Sequence, residues 1–99
     1  MTYIPSSNWH NVVGSSTRHC RCGTWKQHWI NFSGKLWPIS CTVFGCYNPA
    51  TLGAHIQNDQ VNGERIVPMC ASCNGKGLPF SLKFDTTLVK ANQGLTCNR

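Results

Sequence analysis

The stretch from residue 41 to residue 74, CTVFGCYNPATLGAHIQNDQVNGERIVPMCASCN, decides the fold because it holds two closely spaced pairs of cysteines. Four residues separate Cys41 from Cys46, and two separate Cys70 from Cys73. Zinc takes four ligands in a tetrahedron, and cysteine pairs at such spacings supply two each. We therefore predict that these four cysteines hold a first zinc ion. The alternative is that they are free cysteines buried in a core.

The residues between the two pairs predict a β-hairpin followed by a very short helix. Residues 54–57 and 65–69 have the composition of strands, and the turn-forming residues 58–63 lie between them. Pro68 is awkward in a central strand and favours an edge or a strand end. Residues 70–74 would form little more than one helical turn, since glycines and a proline follow at once. The hairpin would bring the two cysteine pairs together.

The clearest helix is predicted over residues 24–34, TWKQHWINFSG. Thr24 begins a capping-box pattern, and Gly34 suits the position just past a helix end. Four ring-bearing residues recur at helical spacing and share one face: Trp25, His28, Trp29 and Phe32. We expect this face to be the inner one, whereas the other two tryptophans, Trp9 and Trp37, are expected to be freer.

The remaining cysteines predict a second zinc site. Its candidate ligands are Cys20, Cys22, His28 and Cys97. His28 would point inward from the helix that begins just after Cys22, and Cys97 would tie the far end of the chain to the site. Three alternatives stay open: His28 is a hydrogen-bonded core histidine, Cys97 is a free thiol, or the fourth ligand is another histidine. Those other histidines are His10, His19 and His55.

The cysteine content favours metal over disulfides as the staple of this small chain. Seven cysteines is an odd number, and the 99-residue chain starts without the basic residues and apolar run of a secretory signal. Structural zinc would contribute folding energy directly to a chain with little regular structure. No stretch is apolar enough to span a membrane, so we expect no membrane association and a cytoplasmic protein.

The charge of the chain indicates an anionic partner such as DNA or RNA. Nine lysines and arginines face three acidic residues, which gives a formal charge of +6. Zinc is held by thiolates, so each zinc site adds negative charge and weakens this signal. The expected partner is therefore a nucleic acid or a protein.

Residues 41–74 resemble the zinc-bearing subtype of the HNH nuclease superfamily, in which a ββα-metal, treble-clef-like unit carries the site. The resemblance rests on the first cysteine pair, the AHI at 54–56, and the IVPMCASCN at 66–74. It implies that His55 is a general base, since an imidazole with a pKa near neutrality can take a proton from the attacking water. It also implies that a divalent metal such as Mg²⁺ polarises the scissile phosphate.

The sequence departs from that superfamily where the catalytic metal would bind. Relatives often carry Asp or His before the base, and this chain has Ala54. No histidine follows His55, and Asn74 stands where many relatives have histidine. Asn58 or Asn62 would orient the base. A Mg²⁺ ion needs oxygen or imidazole ligands, and near the motif only Asn74 and one aspartate, Asp59, come into question.

A longer pattern resembles small bacterial or phage proteins of unassigned function and implies no activity. It consists of C-x-C-G-x-W-x-x-H-W at 20–29 and GAH with PxCxxCN at 53–74.

Together these features predict one small, zinc-stabilised α+β domain over residues 1–99, with a treble-clef or HNH-like hairpin, a short helix, and an N-terminal amphipathic helix. Its segments would be an irregular arm (1–17), a Cys/His-helix segment (18–37), the zinc core (41–74) and a C-terminal strand or tail (80–97). The alternating Phe80, Leu82 and Phe84 predict the last strand.

Three functions from different classes fit these features. The first is a non-catalytic zinc module that binds nucleic acid or a protein partner. The second is a divalent-metal-dependent endonuclease with His55 as its base. The third is a regulator that acts by protein contact.

Overall fold

The computed structural model describes residues 6–12, 23–77 and 79–91. Within these ranges the chain has an α+β fold, with a four-stranded antiparallel sheet and two helices. The elements in chain order are β1 (His10–Asn11), α1 (Trp25–Ser33), β2 (Leu52–Asn58), β3 (Val61–Met69), α2 (Ala71–Asn74) and β4 (Val89–Lys90). The strands lie side by side in the order β1-β2-β3-β4. Four predicted site residues lie outside the described ranges: His19, Cys20, Cys22 and Cys97.

The predicted hairpin is present as β2 and β3, and both strands are longer than the sequence suggested. Ala54 pairs with Val67 near its middle, and a register shift precedes Asn58 at the turn. Asn58 shapes that turn, because its side-chain oxygen accepts the N–H of Gln60 at 2.8 Å. Pro68 lies one residue from the end of β3, at a position that β4 does not reach. The ladder therefore tolerates the missing N–H of this proline.

Helix α1 begins and ends where the capping pattern predicted. The Thr24 hydroxyl oxygen accepts the N–H of Gln27 at 3.0 Å, and Gly34 follows the last turn in the left-handed conformation. The Gln27 side chain donates to Asn31 instead of reaching back to the helix start. The cap is therefore made by the threonine alone.

The predicted inner face of α1 lies on the sheet. His28 and Trp29 are buried, and Trp25 is half-buried. Phe32, in the last turn, leans its ring on His28 at 4.8 Å between centroids but keeps 40% of its surface exposed. Burial of this face thus weakens towards the end of the helix.

The sheet is covered on both faces, which gives two small cores. On one face, alternate residues of the hairpin, among them Ile56 and Met69, pack with Trp9 and the cysteines. On the other face, Ile66 packs with Trp29 of α1 and with Val89 of β4. Each core alone is small, so the stability of the fold depends on both faces of the sheet being covered.

The expectation that Trp9 and Trp37 are freer than the helix tryptophans is wrong for Trp9. Trp9 is completely buried, because its backbone exchanges two hydrogen bonds with Phe80 beside the sheet edge. Trp37 is half-buried, donates to the Ala50 carbonyl at 2.8 Å and packs edge-on against Trp29. The positions of both rings depend on these tertiary contacts, which no local sequence pattern encodes.

The predicted strand at residues 80–84 is only partly formed. Phe80 and Leu82 make isolated bridges to Trp9 and Val43, and Leu82 is buried as the alternation suggested. Phe84 breaks the pattern, since the chain turns there and leaves its ring fully exposed.

Candidate metal centre and the His55 cleft

The two cysteine pairs meet at one place, as predicted. The sulfurs of Cys41, Cys46, Cys70 and Cys73 all lie within 4.8 Å of one another. All four are free thiols, and Cys46 is the most accessible of them. These four side chains are close enough to hold one metal ion. Among the described ranges, this is the one group of three or more metal-ligating side chains.

The first pair is presented by a tight turn. The N–H of Cys46 donates to the carbonyl of Val43 at 3.0 Å, and Gly45 inside that turn has a φ of 85°. Glycine adopts this left-handed conformation without steric cost, which explains its place between the two cysteines. The turn is fastened to the hairpin by Thr42, whose N–H and hydroxyl both donate to the Pro68 carbonyl, at 3.1 and 2.6 Å.

The second pair is presented by the start of α2, also as predicted. Cys70 is the N-cap of this helix, and its sulfur accepts the N–H of Cys73 at 3.4 Å. Asn11 of β1 anchors the other end by donating to the carbonyls of Cys73 and Lys76, at 2.9 and 3.0 Å. The helix is a single turn, yet both of its ends are fixed.

The thiols differ in how easily they lose a proton. Burial acts to raise the pKa of Cys70, but hydrogen bonds from the Cys73 backbone and from the side chains of Cys73, Cys46 and Asn48 outweigh it and lower the pKa to about 6. Burial raises the pKa of Cys73, and its hydrogen bonds to the neighbouring thiols add to that effect. Burial also raises the pKa of Cys41. Of these three thiols, Cys70 therefore loses its proton most readily, and a bound cation would displace protons from the cluster.

The described part of the proposed second zinc site contains only His28. Its ring is fully buried, and its Nε2–H donates to the Lys90 carbonyl at 2.9 Å. Burial lowers the pKa of His28, and that hydrogen bond partly offsets the effect. A metal could then bind this histidine only through Nδ1. The second site stays a prediction, because its three cysteines lie outside the described ranges.

The two residues predicted for catalysis, His55 and Asn74, line one cleft. The cleft has a volume of about 390 Å³ and lies between the start of α1 and strand β2. His55 is 2% exposed, and its ring meets Trp25 edge-on at 4.2 Å between centroids. Asn74 is exposed at the end of α2. Thr24, Lys26 and Thr51 complete the polar part of the wall.

Gly53 sets the width of this cleft. A Cβ on Gly53 would lie 2.5 Å from the carbonyl carbon of Trp25 and 2.7 Å from the backbone nitrogen of Lys26. Helix α1 therefore rests directly on the backbone of β2. The glycine of the GAHI motif is explained by this close approach.

The other candidate residues, three for the HNH-like site and His10 for the second zinc site, have different surroundings. Asn58 donates to the Ser7 carbonyl at 2.8 Å while it shapes the hairpin turn, so its amide fixes the edge of the sheet. Asn62 and Asp59 are exposed near the same turn. His10 pairs in β1 with Gln57. None of these four residues lines the His55 cleft.

Sequence reasoning missed two residues that support the metal centre. Asn48 directs its amide to the sulfur of Cys70 at 3.8 Å, and Thr42 ties the first pair to the hairpin. The signal available for both was their position, since each follows a cysteine of the first pair by one or two residues. Polar residues beside metal ligands often supply such outer contacts.

No family model matches this chain, and no curated protein or solved structure matches it. The resemblance to the HNH superfamily is therefore supported by the matching residues alone. In the described part of the chain, no helix has the length and apolar character that crossing a bilayer requires.

Proposed function

We propose that this protein is a zinc-stabilised module of HNH-like, treble-clef type that binds nucleic acid without cleaving it. The observation that carries the zinc assignment is the spacing of the four sulfurs. In a tetrahedral zinc site with Zn–S bonds of about 2.3 Å, neighbouring sulfurs lie about 3.8 Å apart. Cys46 and Cys70 are separated by 3.8 Å, and all four sulfurs fall within 4.8 Å. Four thiols also form the donor set that selects a soft or borderline cation.

The role of the zinc is structural. Three of its four ligands are buried, and Cys41, Cys70 and Cys73 belong to the same core as Trp9 and Ile56. A closed set of four cysteines leaves no open position for a substrate or a water molecule. The ion would hold the turn before the hairpin against the helix after it.

Nucleic acid is the partner favoured by charge. The formal charge of +6 falls by two when four thiolates and one Zn²⁺ are counted, so the protein stays cationic. Cationic surfaces of this kind attract polyanions at a distance and bind them in a salt-dependent way.

Two measurements test this proposal. Native and denaturing mass spectrometry should find at least one zinc ion that is lost on unfolding. Fluorescence anisotropy with labelled DNA and RNA strands should show binding that weakens steeply as salt rises. Binding that is absent, or that does not depend on salt concentration, would refute the nucleic-acid part of the proposal and would not affect the zinc part.

A second candidate, the endonuclease, is favoured by one observation: His55 and Asn74 line the same cleft. Against it stands the burial of His55 under the Trp25 ring, where attacking water has little access. Plasmid nicking with Mg²⁺, Mn²⁺ or Ni²⁺ decides between the two. Nicking by the wild type that disappears in both His55→Ala and Asn74→Ala would establish the endonuclease; Asn74 is exposed, so its variant is expected to fold.

A further inference from the structure

Beside the metal centre, two segments form a short antiparallel ribbon. The N–H of Phe44 donates to the Ser81 carbonyl, and the N–H of Lys83 donates to the Thr42 carbonyl, both at 2.8 Å. Leu82 is buried between these bonds and anchors the ribbon to the core. We call residues 42–47 with residues 80–84 the aromatic ribbon.

Three large rings on this ribbon face water. Phe44 is 72% exposed, Tyr47 is 80% exposed, and Phe84 is fully exposed. Exposed apolar side chains scattered singly are ordinary, but several on one small element mark an interaction surface. The metal centre keeps the turn that carries Phe44 and Tyr47 in place, because Cys46 lies between them in the chain.

A cation lies against one of these rings. The ammonium group of Lys83 is 4.6 Å from the centre of the Tyr47 ring and donates to the Cys46 carbonyl. The ribbon therefore offers π-faces and positive charge together. An apolar protein surface would have to desolvate that charge, whereas a polyanion would be attracted by it.

A groove of about 480 Å³ continues from the ribbon towards the end of α1. Lys83 and Lys35 both line it, and the Lys35 ammonium donates to the Thr87 hydroxyl at 2.8 Å. Asp85 is the acidic member of the lining, and hydroxyl groups of Thr42 and Thr87 add to its polar wall. The groove thus places two cations next to the ribbon that carries the exposed rings.

We propose that the aromatic ribbon stacks the bases of a single-stranded nucleic acid, whose phosphates follow the groove between Lys35 and Lys83. This inference rests on the proposed nucleic-acid function and specifies its partner. Single strands expose the faces of their bases, and proteins bind them by combining aromatic stacking with cationic grooves. A duplex hides those faces within its stack, so it should bind this surface more weakly.

The test is fluorescence anisotropy with labelled single strands of DNA and RNA of about 12 nucleotides, within the usual site sizes, and a duplex of the same sequence. Tyr47→Ala and Phe84→Ala should each weaken single-strand binding about 5- to 150-fold, the equivalent of one lost stacking contact. Tyr47→Phe keeps the ring and should bind like the wild type. Ile39→Ala is the matched control, because Ile39 is 91% exposed and lies outside the ribbon and the groove.

Charge variants probe the groove independently. Lys83→Gln should reduce the slope of log affinity against log salt by about 0.7, the value for one phosphate contact to a single strand. Asp85→Asn removes the acidic group of the lining and should strengthen binding. Asp85 is exposed, and glutamine at the half-buried position 83 keeps an N–H donor for the Cys46 carbonyl, so both variants are expected to fold.

The outcomes separate the two proposals. If the wild type binds no nucleic acid, both fail. If it binds single strands but Tyr47→Ala and Phe84→Ala bind as tightly as Ile39→Ala, the ribbon is not the stacking surface and the general function stands. A duplex bound as tightly as the single strand would also overturn the inference.

Discussion

Replacing Gly53 with alanine is expected to lower the free energy of unfolding by about 2–3 kcal/mol, the upper part of the range for an overpacked site. The new Cβ would lie 2.5 Å from the Trp25 carbonyl carbon, whereas ordinary contacts begin at 3.4 Å. Helix α1 and strand β2 must therefore separate by about 0.9 Å. The atoms in the way belong to the backbone, so no side-chain rotation relieves the clash.

Urea unfolding followed by tryptophan fluorescence measures this effect, since Trp25 and Trp29 both lie on the displaced helix. For a chain of this size, the loss corresponds to a melting temperature lower by about 10–20 °C. Gly77→Ala is the matched control, because a Cβ there meets nothing within 4 Å. That control should be neutral or stabilising by up to about 1 kcal/mol, through the reduced entropy of the unfolded chain.

Of the two alanine variants, only Gly53→Ala is thus expected to lose stability. If Gly53→Ala unfolds at the same urea concentration as Gly77→Ala, helix α1 does not rest on β2 as described. A large loss in the free energy of unfolding of both variants would instead show that the crowding around Gly53 is not the cause of the effect.

Three further changes probe the metal centre and the two cores. Cys70→Ser should abolish zinc retention in native mass spectrometry, whereas Ser72→Ala, on the exposed side of α2, should keep it; zinc retained by the serine variant would contradict the four-cysteine site. Because burial lowers the pKa of His28, the unfolded chain binds a proton on this imidazole more readily than the folded chain does. The free energy of unfolding should therefore fall as pH drops below about 6.5. His28→Gln should make that decline shallower in urea titrations at each pH, and an equal slope would exclude this cause. Trp9→Ala should cost about 3–5 kcal/mol in the same assay, against almost nothing for Leu36→Ala, which is 94% exposed.

The features that the sequence predicted correctly are those determined by near neighbours. The cap of α1 depends on Thr24 and on residues within the next turn, and the one-turn length of α2 follows from the glycines behind it. The meeting of the two cysteine pairs also followed from their spacing, because closely spaced pairs of cysteines are typical ligands of a single zinc ion. The first two inferences needed only a few consecutive residues, and the third needed only the residue types and spacings of two short segments.

The features that it missed depend on contacts across the chain. Trp9 is buried because it pairs with Phe80, 71 positions later, and no pattern near Trp9 encodes that partner. Phe84 continues an alternation that the turn at the end of the ribbon interrupts. His55 fitted a catalytic motif, but its burial against Trp25 required a knowledge of how closely α1 approaches β2.

The bridge between Trp9 and Phe80 also bears on how fast this protein folds. The hairpin closes a short loop, whereas the arm must find both the far edge of the sheet and a segment near the other end of the chain. Contacts between such distant residues form slowly, because the entropy of closing the loop is lost before the contacts repay it. We expect the hairpin and metal centre to assemble first and Trp9 to dock last. In folding and unfolding kinetics, Trp9→Ala should then accelerate unfolding far more than it slows folding.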